Sequence, residues 1–351
     1  MTMDSAEKDV LELSLRCPKK MKNGPCGSSF DGRCEVGGFC VWKEIYGRLK
    51  EEGKLSVLDN VLGAEKFGYS PYSDKKAESF MDSKRFVITT EIEPPKGADL
   101  SKVKRFLGNV KGVSAINVVD NPLGEPVMGP SLPSLYIMKH NIKPIYQITC
   151  RDKNIAAIQS DIFAAYAAGV RDILVLTGDY VTKNSKPVFD VDSTLLAYLI
   201  KTKLANGLDF CGRKIDTKMA INTGVAVNPN AVPCDAEMIK FRKKMQFADF
   251  AQTQAVFDSN VLDEFSRQMN FHERILVGIL PVTSYKMAEA MSKVPGVTIP
   301  EELKEELKKD KGAGIRRAKE MIIHAKELGF RGVHIMTFMN LKMLVELTKN
   351  V

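Results

Sequence analysis

Two groups of residues in this sequence have the types and spacing to do chemistry. The first is a short aliphatic run, Leu174-Val175-Leu176, that ends abruptly in Thr177-Gly178-Asp179. A continuous apolar run reads as a parallel strand buried on both faces, and a glycine just past its end lets the backbone turn sharply or approach a ligand. A carboxylate outside the carboxyl end of such a strand stands where α/β folds keep their active sites. Alone, Asp179 reads equally well as the cap of a following helix. The second group is Cys17, Cys26, Cys34 and Cys40, separated by eight, seven and five residues in a stretch punctuated by Gly and Pro. These are not the CxxC pairs of an ordinary zinc ribbon, yet four thiolates suit tetrahedral zinc and a cubane 4Fe-4S cluster alike. Such a segment cannot build an apolar core by itself, and a metal is the usual substitute. The remaining cysteines, Cys150, Cys211 and Cys234, are scattered. An odd total without a secretion signal argues against a disulfide framework.

To position Asp179 the chain needs parallel strands, and from residue 84 onward the pattern supplies them. Strands are expected at Phe86–Thr90, Ala115–Val119, Pro144–Ile148, Ile173–Leu176, Met219–Asn222, Phe250–Thr253, Ile275–Leu280 and Val333–Met336. Helical periodicity falls between or after them, at Leu100–Asn109, Leu132–His140, Asn154–Ala168, Thr194–Ala205, Asp235–Phe247, Val261–Met269, Ser284–Met291 and Gly314–Leu328. Eight strands with eight helical stretches predict an α/β fold, a (β/α)8 TIM barrel, over residues 84–351. A doubly wound open sheet is the alternative, but no G-x-G-x-x-G and no P-loop follows any strand. Residues 1–83 read as the cysteine-rich, metal-binding module, with short helices around Lys8 to Leu15 and Lys43 to Glu52 and then a polar, mobile-looking linker.

Bulk properties exclude little else. With 351 residues, 44% of them hydrophobic and 27% charged, the chain can bury one large core plus a small appendage and is not disordered. A net charge of +8 suits an anionic substrate or cofactor as well as it suits nucleic acid. No apolar run approaches the roughly 20 residues of a membrane span. The polar, acidic start lacks a secretion h-region, so a cytoplasmic protein is expected. Expected partners are small molecules and other protein subunits, with no nucleic acid and no membrane span.

In such a barrel the chemistry collects where strands end. Those positions carry Glu91 and Glu93, Asp120 and Asn121, Gln147 with Thr149-Cys150-Arg151-Asp152, and Thr177-Gly178-Asp179. Further round come Thr223-Gly224 with Asn228-Pro229, Gln252 and Gln254, Pro281 with Tyr285, and His334. Glu91 and Asp179, facing one mouth from strands one and four, could divide labour as proton donor and fixed anion. Asp152 and Ser193 are natural helix caps. The histidines form no metal set, and His334 reads as a buried, hydrogen-bonded residue.

In order and placement these motifs resemble the methylenetetrahydrofolate reductase family (MetF-type), across roughly residues 84–349. The resemblance is carried by Thr90-Glu91-Ile92-Glu93-Pro94-Pro95, Asn117-Val118-Val119-Asp120-Asn121-Pro122, Gln147-Ile148-Thr149-Cys150-Arg151-Asp152 and Leu176-Thr177-Gly178-Asp179. Gly224-Val225-Ala226-Val227-Asn228-Pro229, Ala251-Gln252-Thr253-Gln254, Gly278-Ile279-Leu280-Pro281-Val282 and His334-Ile335-Met336-Thr337 complete it. It implies reduction of 5,10-methylenetetrahydrofolate to 5-methyltetrahydrofolate through a flavin, FAD or FMN. Glu91 matches the family's general acid, the natural donor if burial raises its pKa. Asp179 matches the aspartate near both flavin and folate, where a fixed negative charge would stabilise the developing cation. Gln254 matches the pterin-binding glutamine, and Tyr285 falls where an aromatic packs on the folate. Gln147, Thr177, Gly178, Asp179, Phe189, Gly224, Glu237 and Lys244 align with flavin contacts, Lys244 towards the phosphate. Val119 departs from the hydroxyl residue that many members carry, and Glu93 beside the acid is less usual.

The N-terminal stretch is similar to the cysteine module of MetV-type proteins, partner subunits of reductases in acetogen-like one-carbon pathways, here fused ahead of the barrel. The similarity lies in Cys17-Pro18-Lys19, Asn23-Gly24-Pro25-Cys26-Gly27, Gly32-Arg33-Cys34-Glu35-Val36 and Cys40-Val41-Trp42. It implies either an iron–sulfur cluster passing electrons to the flavin or a structural zinc. The donor would be NAD(P)H, ferredoxin or a partner redox subunit, and the substrate methylenetetrahydrofolate or a related C1-pterin, in an oligomer or complex. The competing readings are a flavin-free folate-binding methyltransferase-type barrel with a structural zinc module, and a non-enzymatic electron-transfer or scaffold subunit.

Overall fold

Eight parallel strands, each paired with the next and the last with the first, close a barrel. The computed structural model describes residues 5–29, 32–180 and 186–349. The strands are β1 (Val87–Ile92), β2 (Ala115–Val118), β3 (Lys143–Thr149), β4 (Asp172–Leu176), β5 (Asn222–Val227), β6 (Phe250–Ala255), β7 (Ile275–Ile279) and β8 (Gly332–Ile335). Two helices, α1 (Ser5–Ser14) and α2 (Val41–Glu51), precede them. The outer ring is α3 (Ser101–Leu107), α4 (Ser131–Lys139), α5 (Ile155–Ala167), α6 (Ser193–Thr202), α7 (Cys234–Met245) and α8 (Ser259–Arg267). It continues with α9 (Tyr285–Met291), α10 (Glu301–Lys309), α11 (Ala313–Glu327) and α12 (Leu341–Thr348). Near-continuous aliphatic strands such as β7, all of it buried, face both the barrel interior and the helices.

Several elements differ from the expectation in extent or number. The fifth strand begins at Asn222, where Met219–Asn222 had been expected to end it; Met219, Ala220 and Ile221 are buried but outside the ladder. Thr223 and Gly224 are in the ladder because the interior there is filled from the next strand: a Cβ on Gly224 would lie 2.3 Å from the Phe250 ring. Secondly, β1 and β6 run further than expected, so Glu91 and Gln254 lie within strands rather than after them. Thirdly, α10 was not anticipated, because it is a highly charged helix whose buried apolar residues are just Leu303 and Leu307. The expected caps Asp152 and Ser193 give way to Asn154 and Asp192, whose side chains accept from Ala157 N and Leu195 N. Asp152 instead pairs with Arg151.

The stretch expected as a mobile linker is a strap across the amino-terminal end of the barrel. Ala77 N donates to Asn222 Oδ1, Ser79 Oγ to Asp172 Oδ1, and Lys203 Nζ to Gly68 O and Ser70 Oγ. Phe80 plugs that end, edge-on to Phe250 at 5.1 Å, in a cluster with Val87, Ala115, Ile145, Leu174 and Leu276.

The N-terminal segment packs beside the opposite end. Its apolar cluster of Val10, Met21, Trp42, Ile45, Leu49 and Leu58 includes Ala236 of α7, so it shares a core with the barrel rather than standing alone. No helix among the described residues is long and apolar enough to cross a membrane.

Candidate active site

The carboxyl ends of the strands surround a cavity of about 340 Å³. Glu91 enters it from β1 and Gln147 from β3. Thr177, Gly178 and Asp179 follow β4, Gln252 and Gln254 come from β6, and His334 from β8. Helix α7 adds Glu237, Lys240 and Lys244 at helical spacing on one face, and Cys26-Gly27-Ser28 of the N-terminal segment closes part of the wall.

Eight of the expected contact residues are therefore brought together: Glu91, Gln147, Thr177, Gly178, Asp179, Glu237, Lys244 and Gln254. Three are not. Gly224 lies below the cavity against Phe250. Phe189 is buried and stacked on Tyr180, 6.4 Å between centroids. Tyr285 starts α9 with Lys308 over its ring, away from the cavity wall.

The electrostatics of the wall are set by burial. Lys244 is pushed down to about 7, first by burial and then by the neighbouring charge of Lys240, against Glu237 and Asp192. Its Nζ donates to Ala226 O at 2.8 Å. Lys240 is ion-paired with Glu237 and donates to Pro25 O. Glu237 also accepts from Asn228 N. Asp120 is raised by burial, although Lys153 lies 3.3 Å away and Thr149 N donates to it. Glu93 is raised by burial and by Glu91. Gly178 has φ +89°, and a Cβ there would lie 2.3 Å from Thr149 Cγ2, so only glycine lets the chain turn here.

These residues fit a flavin on two counts. Lys244 is a buried amine facing the cavity with no carboxylate bonded to it among the described residues, as a phosphate would require. Gln252 Nε2, also on the wall, is a buried donor with no partner among the described residues.

The N-terminal segment is clamped onto this mouth by polar contacts. Lys19 is ion-paired with Glu35 and donates to Gly178 O at 3.0 Å, one residue from Asp179. Against the pull of burial, Cys26, Glu35 and Asp179 hold Lys19 above its ordinary range. Asn23 donates to Asp192, and Asn228 Nδ2 donates to both Gly27 O and Gly296 O. Cys17, Cys26, Cys34 and Cys40 are free thiols. Burial lifts Cys17 to about 11 and raises Cys34 and Cys40, and each is raised further by the charge of the neighbouring thiols. The donor chemistry is that of a metal site, but no three His, Cys, Asp or Glu side chains among the described residues stand in a metal-holding arrangement.

Sequence reasoning missed Lys240 and the place of Cys26 in the wall, and it set Asn228 at a strand end without its contact to Gly27. Lys240 had a signal, since Glu237, Lys240 and Lys244 recur on one helical face. The Asn228 contact and the place of Cys26 had none, because both join segments some two hundred residues apart.

Comparison with known proteins bears on this geometry. A family model described as methylenetetrahydrofolate reductase matches residues 76–351. A second, described as methylene-tetrahydrofolate reductase C terminal, matches residues 11–68. Among solved structures, an uncharacterized protein from Clostridium thermocellum, described as binding two copies of 5-methyl-5,6,7,8-tetrahydrofolic acid, matches with a TM-score of 0.58. It is 15% identical, over 77% of this chain and 96% of that one. An EDTA monooxygenase from Chelativorans matches at a TM-score of 0.47 and 10% identity, over 76% of this chain and 95% of that one, too distant to carry an argument.

Proposed function

Because this chain belongs to the methylenetetrahydrofolate reductase family, we propose that it reduces 5,10-methylenetetrahydrofolate, or a closely related C1-pterin, to the 5-methyl form with a flavin, FAD or FMN. The observation that carries this reading is the convergence of Glu91, Asp179 and Gln254 on one cavity that also holds the buried cation Lys244. The folate named for the Clostridium thermocellum barrel is the product of this reaction, but that likeness extends to the fold alone.

In this reading Lys244 holds the flavin phosphate, with Gln147, Thr177, Gly178 and Glu237 along the cofactor. The bound flavin supplies the hydride. Opening the imidazolidine ring to an iminium ion requires a proton on the departing nitrogen, and Glu91 delivers it. Asp179 sets a carboxylate beside the developing cation, where a negative charge lowers that cation's energy. Gln254 binds the pterin. Gly178 lets β4 turn so that Asp179 reaches the wall.

The cysteines are proposed as ligands of an iron–sulfur cluster or a zinc ion on their thiolate chemistry alone, since among the described residues they do not stand in a metal-holding arrangement. Anaerobically purified protein tests both parts together through its visible spectrum and its flavin, iron and zinc content. Flavin bands near ~370 and ~450 nm that bleach with 5-methyltetrahydrofolate are expected. A colourless, folded protein would remove the flavin from the reading, and zinc without iron would remove the cluster.

A further inference from the structure

We infer that Asn117 holds His334 in its Nε2–H tautomer, turning that hydrogen towards Glu91, and that Asn117 ties this acid to Gln147 on the cofactor wall. The role given to Glu91 rests on the function proposed above; the tautomer does not.

The direction of the chain of bonds follows from the donors available. Gln147 Nε2 donates to Asn117 Oδ1 at 3.3 Å, which turns the Asn117 amide hydrogens towards His334. Asn117 Nδ2 lies 3.1 Å from His334 Nδ1; Thr89 Oγ1 lies 3.0 Å from the same nitrogen but also donates to Val333 O, and as a hydroxyl it suits either tautomer. An amide N–H can only donate, so Nδ1 must offer a lone pair. The tautomer that fits this contact carries its hydrogen on Nε2, which lies 3.4 Å from Glu91 Oε2. The two atoms stand at ion-pair distance without a hydrogen bond between them in this structure, and the inferred bond forms when ligand fills the cavity.

The parts are held by the barrel itself. Thr89, Asn117 and His334 are buried on adjacent strands, with Thr89 in register with His334 and Glu91 in register with Asn117. With Oε2 receiving the His334 hydrogen, the acidic proton of Glu91 is carried on Oε1. In the reaction the Oε1–H bond breaks and a hydrogen–nitrogen bond forms on the folate. The electron pair stays on a carboxylate that His334 stabilises, and solvent later returns the proton. His334 keeps its own hydrogen throughout and is a positioning residue.

The test is two-bond ¹H–¹⁵N correlation spectroscopy on full-length protein labelled at its four histidines, with His334→Leu used for assignment. The expected pattern for His334 is neutral, with pyrrole-type Nε2 and pyridine-type Nδ1. In Asn117→Asp the carboxylate accepts instead, so hydrogen should appear on Nδ1; Asn117→Leu, which keeps the volume, should weaken the Nε2–H preference and serves if the aspartate variant does not fold. In turnover with methylenetetrahydrofolate, Asn117→Asp should lower kcat about 10- to 100-fold with KM within about twofold, since the loss falls on proton delivery. Hydrogen on Nδ1 in the parent protein, or an unchanged tautomer in the variants, overturns the inference. So does an altered tautomer with unchanged kcat. If no C1 folate is turned over, the proposed function fails separately, and the nitrogen pattern still decides the tautomer.

Discussion

Lys244→Met should stabilise the flavin-free protein while weakening its flavin binding. Lys244 is buried and held down at about 7 by burial first and by Lys240 second, with Ala226 O as its hydrogen-bond acceptor. Its folded-state value lies below the unfolded one, so between about 7 and 10.5 the unfolded chain binds the extra proton. Native stability therefore rises with pH through that window, and the penalty is complete at pH 7 and below. At about 1.4 kcal/mol per unit, the shift corresponds to at most about 5 kcal/mol. Losing the bond to Ala226 O returns about 1 to 2 kcal/mol of that. A net gain of at most about 3 to 4 kcal/mol at pH 6.5 is expected, or roughly 4 to 5 °C in Tm for a chain of this size. The gain should fall as pH rises and turn into a loss of about 1 to 2 kcal/mol near pH 10.5, where only the missing bond to Ala226 O is left. Loss of one charge-assisted phosphate contact should weaken flavin binding about 10- to 100-fold. Thermal unfolding of flavin-stripped protein from pH 6 to 10, with a flavin titration of each variant, measures both. A variant destabilised at pH 6.5, or one with unchanged flavin affinity, would refute the reasoning.

Four further outcomes follow. Glu91→Gln should cut methylenetetrahydrofolate reduction by about 10²- to 10⁴-fold while leaving flavin content intact, and full activity would place the acid elsewhere. Phe80→Ala should cost about 3 to 4 kcal/mol in chemical denaturation, because it opens a cavity against Phe250; a loss below 1 kcal/mol would restore the strap to a loose linker. Asp172 is raised to about 7 by burial, against hydrogen bonds from Ser79 and Asn222. Its stabilising effect is thus complete below about pH 4 and lost as pH rises through 7, so Asp172→Asn should gain up to about 4 kcal/mol at pH 8 and little at pH 4; an equal effect at both pH values would contradict this. Gly178→Ala, forced to φ +89° and against Thr149, should cost about 1 to 3 kcal/mol and reduce flavin content, which unfolding and absorbance would show.

Much of the barrel was legible because parallel strands and amphipathic helices leave separate periodicities, and because the strand-end polar residues cluster by position. Glu91, Asp179 and Gln254 could thus be placed at strand ends before any geometry was known, whereas Lys244 was reached only through the family resemblance. Gly224 misled for a physical reason: its small size serves the Phe250 ring filling the barrel, which looks in the sequence like clearance for a ligand. The strap defeated composition in the same way. Residues such as Lys76 and Ser79 look like solvent-facing linker, yet they answer Asp249 and Asp172 beneath the barrel. Partners distant in sequence leave no local trace, which is also why Asn228 and Gly27 could not be joined beforehand.

The charge on α7 links the two ends of the problem. Lys240, Lys243 and Lys244 are all buried, which would be costly for three neighbouring cations without acceptors. The N-terminal segment answers two of them: Pro25 O accepts from Lys240, with Glu237 beside it, and Asn23 Oδ1 accepts from Lys243 at 3.4 Å. For Lys244 the acceptor is a lone backbone carbonyl of β5. An anion entering the cavity therefore meets the cation with least compensation, while its neighbours are spent on holding Cys26 against the wall. Docking of the segment and selection of a phosphate-bearing ligand draw on one row of lysines. A substitution that loosens residues 23–25 should therefore disturb the ligand's site as well as the segment's position, even though none of those residues faces the cavity.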